Sequence, residues 1–137
     1  MKKLVHVLLT SSLLWASATY SVGQVTKLWD KTIGGSGNDN MTTITMVPTS
    51  DGGFLLGGSS NSNMSGDKTE NRKGDYDYWV VKIDSMGNRL WDKTIGGNGF
   101  DLMTTMLPTA DGGFLLGGTS SSNISGDKTI PSVGGND

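Results

Sequence analysis

Residues 78–118 read YWVVKIDSMGNRLWDKTIGGNGFDLMTTMLPTADGGFLLGG, and the fold turns on this stretch. At its start Trp79, Val81 and Ile83 alternate onto one face of an extended chain rich in aromatic and β-branched side chains, which predicts a strand over 78–84. Ser85-Met86-Gly87-Asn88 follows as a turn, since Gly87 and Asn88 tolerate positive φ. A second strand runs from Leu90 to Ile95, with Trp91, Lys93 and Ile95 alternating against Leu90, Asp92 and Thr94, and Gly96, Gly97 and Gly99 end it. A third, 102–107, stops at Pro108, which cannot donate to a ladder. Ala110-Asp111-Gly112-Gly113 turns the chain into a fourth, 114–118. Helical periodicity is absent throughout. The pattern predicts a four-stranded antiparallel meander, the unit of a β-propeller blade.

Much of this unit occurs twice. LWDKTIGG stands at 28–35 and 90–97, DGGFLLGG at 51–58 and 111–118, and SGDKT at 65–69 and 125–129. The offset is 62 residues before Ile44-Thr45 and 60 after it, because the second copy lacks that dipeptide. Aligned on this basis, 32 of 41 positions are identical, far beyond what packing alone demands and therefore a sign of duplication. The fold class expected is all-β, with seven strands or about 1.75 blades where a propeller uses about 4–8. The expected divisions are 1–23, an export signal; 24–77, a first repeat without its opening strand; and 78–137, a second repeat.

Composition narrows the class further. The 137 residues hold 21 glycines, no cysteine and one histidine, so tight turns are favoured and disulfides and thiolate metal sites are excluded. Lys2 and Lys3, an apolar run over 4–15 and the small residues Ala16-Ser17-Ala18 form a secretory leader, cut after Ala18 or after Gly23. That run is too short for a transmembrane helix, so no membrane span is expected once the leader is removed. Beyond residue 23 the chain has 9 basic and 13 acidic side chains, which gives no footprint for nucleic acid.

DYWVVKID, the Gly-Asn turn, LWDKTIGG, a Gly-x-Asp step and DGGFLLGG, in that order over about 27–137, resemble the bacterial secreted β-propeller repeats of the SBBP type. The resemblance is closest to versions in Bacteroidetes, whose longer chains often end in a type IX secretion sorting domain. It implies a secreted or cell-surface propeller with no uniform enzymatic activity. Against that family the chain has few blades and no sorting domain. Truncation of a longer frame, assembly of a propeller from several copies, and a self-standing small sandwich all remain open. Thr49-x-Asp51-x-Gly53 and Thr109-x-Asp111-x-Gly113 also resemble the first half of the sialidase Asp box, a turn-stabilising element.

No nucleophile pair can be drawn, because the only histidine lies in the leader. Asp75 and Asp77 could form a carboxylate pair, but nothing around them in the sequence supplies an apolar pocket to raise a pKa. The chain is therefore expected not to be an enzyme. Calcium is the one cofactor with candidate ligands, at Asp67, Asp75 and Asp77 and at Asn38-Asp39-Asn40, although such residues in Gly-rich loops more often bond their own backbone. Trp29, Trp79 and Trp91 are expected in the core rather than as sugar platforms. The function expected is an extracellular binding or adhesion scaffold for a glycan or protein ligand. Its alternatives are a structural spacer of a larger secreted protein and an oligomeric, calcium-stabilised or glycan-binding lectin-like module.

Overall fold

The structure, a computed structural model, describes residues 27–134, with the backbone alone for 40–45. The expected leader and both its cleavage points lie outside the described residues. The described residues form six strands: β1 (Asp39–Pro48), β2 (Phe54–Ser60), β3 (Asp77–Ile83), β4 (Arg89–Ile95), β5 (Asp101–Pro108) and β6 (Phe114–Ser120). Described residues include no helix. β1-β2-β3-β4 form one antiparallel meander, and β5-β6 form a separate antiparallel pair.

The four-stranded sheet is out of phase with the unit read from the sequence. Residues 78–118 do not close on themselves: β3 and β4 pair back onto β1 and β2, across the repeat boundary at 77/78, while β5 and β6 open a second sheet. The physical reason lies in the loops. Residues 61–76 return beside β2, whereas Gly96-Gly97 end β4 and carry the chain out of its sheet. The described residues form no seventh strand either. Residues 28–33, identical to 90–95, have no strand assignment, because 90–95 pairs with β3 and the sequence holds only one copy of YWVVKI.

Short turns set the registers. Gly52 and Gly112 adopt φ of +81° and +86°, where a side chain would strain the backbone, and Thr49 and Thr109 close each turn by donating their amides to Gly53 and Gly113. Gly87 takes φ of +79° as expected, but Asn88 does not share the positive φ; it donates its amide and side chain to Asp84 instead. The extra dipeptide Ile44-Thr45 is absorbed as a wider bulge. β1 slips between Asn40 and Thr45 and β5 only between Met103 and Thr105, after which Met46↔Leu56 and Met106↔Leu116 pair alike.

Each face of the four-stranded sheet is apolar. Leu56, Trp79, Val81 and Ile83 form one cluster, covered by Trp29, Ile33 and Phe54. Val47, Leu55 and Val80 form the other, closed by Met106, Phe114 and Leu116 of the second sheet. Burying each large side chain here contributes roughly 1.5–3 kcal/mol. Equivalent positions in the two copies reveal the order of stacking. Met46 is 52 % exposed and Met106 0 %, whereas Leu55 is 2 % exposed and Leu115 63 %. Trp79 is in the core as expected and Trp29 packs against it, but Trp91 is 46 % exposed. Trp29 rests on the β3–β4 turn, and the described residues form no second turn of that kind over Trp91.

Candidate functional site

The most elaborate polar construction is a clamp built twice. Where the chain leaves LWDKTI its backbone turns through glycines, and amides in such a loop need partners other than a ladder. In the first copy five consecutive amides donate to side-chain oxygens: Gly34 to Asp67 Oδ2 at 3.1 Å, Gly35 to Asp39 Oδ2 at 2.6 Å, Ser36 to Ser65 Oγ at 2.9 Å, Gly37 to Ser62 Oγ at 2.8 Å and Asn38 to Asn61 Oδ1 at 2.7 Å. In the second copy Gly96 donates to Asp127 at 3.0 Å, Gly97 to Asp101 at 2.7 Å, Asn98 to Ser125 at 2.9 Å, Gly99 to Ser122 at 2.8 Å and Phe100 to Ser121 at 2.9 Å. Return bonds complete each clamp, from the Asp67 amide to the Gly34 carbonyl and from the Asp127 amide to that of Gly96, both at 2.9 Å.

The central carboxylates hold three partners each. Asp39 accepts from Gly35, Ser60 and Ser62, and Asp101 from Gly97, Ser120 and Ser122. Asx and Ser side chains serve this role because they reach a neighbouring amide with one or two rotatable bonds. SGDKT and the Ser/Asn run are thereby tied to the loop that precedes each Asp39-like residue.

A second polar cluster occupies the first sheet alone. Asp92, buried within β4, accepts from Trp79 Nε1 at 2.9 Å, from the amide and hydroxyl of Thr69 at 3.0 and 2.7 Å, and from Arg89 at 3.1 Å. Burial pushes its pKa up, but these bonds together outweigh that and hold it below the ordinary value. Lys68, also buried, donates to Thr94 Oγ1 and lies 5.8 Å from the centre of the Trp79 ring, and burial lowers its pKa. Lys128, at the equivalent position, donates to Ser120 instead at 2.9 Å.

The calcium candidates are not assembled into a centre. Asp67 is engaged by the Gly34 amide, Asp75 is exposed beside Arg72 at 3.9 Å, and Asp77 is fully buried with Oδ2 accepting from the Lys73 and Gly74 amides. Among the described residues no group of three or more acidic or imidazole side chains could hold a metal ion. Asp77 corrects one expectation drawn from the sequence. Its surroundings do raise its pKa, through burial first and the nearby Asp101 second, and Oδ1 has no hydrogen-bond partner. The Asp-box-like turns behave as turns: Asp51 and Asp111 accept from Thr49 and Thr109 and from the Gly53 and Gly113 amides at 3.1 and 3.2 Å.

Of the acidic residues that build the clamps, Asp101 and Asp127 were not candidates from sequence. The signal for Asp101 was the recurrence of Gly-Gly-x-Gly-x-Asp at 34–39 and 96–101. A cavity of about 220 Å³ lies beside the second clamp, lined by Tyr78, Gly96, Asp101, Ser120, Asp127 and Lys128 among others. Against known family models, curated proteins and solved structures, the chain finds no match.

Proposed function

We propose that the chain is an exported, non-catalytic β-repeat scaffold whose sheets are blades of the secreted propeller type, and that it acts outside the cell by presenting its loops to a glycan or protein. One observation carries the reading. The side chains shared by the two copies outside the core spend their oxygens on backbone amides, as Asp39, Asp67, Ser62 and Ser65 and their counterparts Asp101, Asp127, Ser122 and Ser125 do. Groups committed in this way hold loops in shape and are not free for proton transfer or nucleophilic attack. The rigid loops then turn outward at equivalent points, Asn63-Met64 and Asn123-Ile124, all four exposed. Repetition of one small contact at a fixed spacing gives avidity without a deep pocket.

A glycan array probed with the purified full chain tests the proposal. The expected result is retention on a restricted set of glycans, reduced when Asn63 and Asn123 are both replaced by alanine. A uniformly empty array would overturn the glycan reading in favour of a structural spacer.

A further inference from the structure

Stacking within the chain has a direction, and its two ends match. The face formed by Val47, Leu55 and Val80 is covered by Met106, Phe114 and Leu116. Leu107 and Leu115 occupy the positions of Val47 and Leu55 in the second copy, and Met46, Phe54 and Leu56 those of the covering residues in the first. Leu107, Leu115 and Met46 are all exposed. One end of the stack therefore repeats the surface that is covered. At the other end Met46 is the part of the covering surface left open, since Leu56 is buried with Phe54, Trp29 and Ile33 packed against its cluster. Finer features recur as well. Gly57 leaves room for Met103, and Ser59 Oγ accepts from the Met103 amide at 2.8 Å across the two sheets. Their counterparts are Gly117, again without a side chain, and Thr119, again with a hydroxyl. Over 102–120 the only charged residue is Asp111, in a turn, so the exposed face lacks the lysines that commonly guard a free sheet.

We propose that the chain binds a second copy of itself head to tail, with Leu107 and Leu115 of one copy covered by the β1 face around Met46 of the next. The occupant follows from continuity with the interface inside the chain, where β5 lies chiefly across β1 and β2 and less on β3. β5-β6 of one copy can make most of that contact on β1-β2 of another without any further strand. The contact is heterologous, so each added copy leaves one end of each kind free, and assembly proceeds to a ring or a filament.

Sedimentation velocity of the purified chain over a concentration series tests this, with two exposed-site variants, Met46→Lys and Leu115→Lys. The weight-average mass of the wild type is expected at least to double with concentration, while each variant alone stays monomeric with an unchanged thermal midpoint. An equimolar mixture of the two variants retains one intact end of each kind and is expected to give dimers and nothing larger. A wild type that stays monomeric throughout would overturn the proposal, as would a mixture that gives no dimer. Should a lysine variant fail to fold, Met46→Gln and Leu115→Gln supply the same comparison.

Discussion

Gly97 donates its amide to Asp101 at 2.7 Å, closing a turn of five residues over a carboxylate that also accepts from Ser120 and Ser122. The carboxylate thus joins the loop that leaves β4 to the end of β6. Gly35 and Asp39 repeat the bond at 2.6 Å.

Asp101→Ala removes a carboxyl acceptor of three hydrogen bonds and leaves the buried Gly97 amide without a partner. Bonds to charged groups and orphaned buried donors each carry about 1–3 kcal/mol, so a loss of about 3 kcal/mol is expected in urea denaturation. Asp39→Ala should cost somewhat less, because Asp39 is only half-buried. Equal stability of Asp101→Ala and wild type would remove the clamp from the account.

Gly57 and Gly117 hold the same place in the two copies but differ in what faces them. A Cβ on Gly57 would lie 2.2 Å from the Met103 methyl, whereas one on Gly117 meets only Thr105 Cγ2, at 3.0 Å. Gly57→Ala is expected to destabilise by about 1–3 kcal/mol through overpacking. At concentrations where the chain is monomeric, Gly117→Ala should stay within about 0.5 kcal/mol of wild type. Similar costs at both sites would contradict the order of stacking.

Asp77 gives a pH dependence of unusual sign. Its folded pKa lies above the ordinary value, so the stability it contributes is present at low pH and lost as pH rises through the folded value. Glu70 and Asp127 run the other way. The Lys93 hydrogen bond lowers Glu70, and for Asp127 the Lys73 and Gly96 bonds outweigh burial, so their contributions are lost as pH falls. Asp77→Asn keeps an oxygen for the Lys73 and Gly74 amides without the buried charge. Its stability relative to wild type is expected to improve between pH 4 and pH 7 in a urea series; a difference independent of pH would count against the raised value.

Lys82 distinguishes two otherwise identical turns. Its ammonium group donates to Thr49 Oγ1 at 2.8 Å and Asp51 Oδ1 at 2.9 Å, whereas among the described residues Asp111 accepts from Thr109 and Gly113 and from no lysine. Asp51 is held well below the carboxylate range by the Thr49 hydroxyl first and Lys82 second. Carboxyl titration by NMR should show Lys82→Met raising Asp51 while Asp111 stays in place.

Strand positions were legible in the sequence because alternation and turn chemistry are local. The expected 78–84, 90–95, 102–107 and 114–118 fall on β3 to β6 within a residue or two. Which strands share a sheet was not legible, since that depends on where loops 61–76 and 96–100 take the chain. Residues 28–33 and 90–95 are identical in sequence, yet only the latter find a partner strand. Likewise Trp91 reads as core from its neighbours in sequence, but its burial requires a turn from an adjoining unit. Gly35 with Asp39 and Gly97 with Asp101 are four residues apart. The other clamp amides lie 21 to 33 residues from their acceptors, and their pairing became visible only through the repeat itself.

Native-state hydrogen exchange at the amides of residues 34–38 and 96–100 tests most directly whether the repeated polar motif is committed to structure. All ten lie outside the sheet ladders, yet each donates to a side-chain oxygen. The account predicts protection comparable to that of β3 amides, with the five of the second copy released together in Asp101→Ala. Exchange of these amides at the rates of an open loop would contradict it.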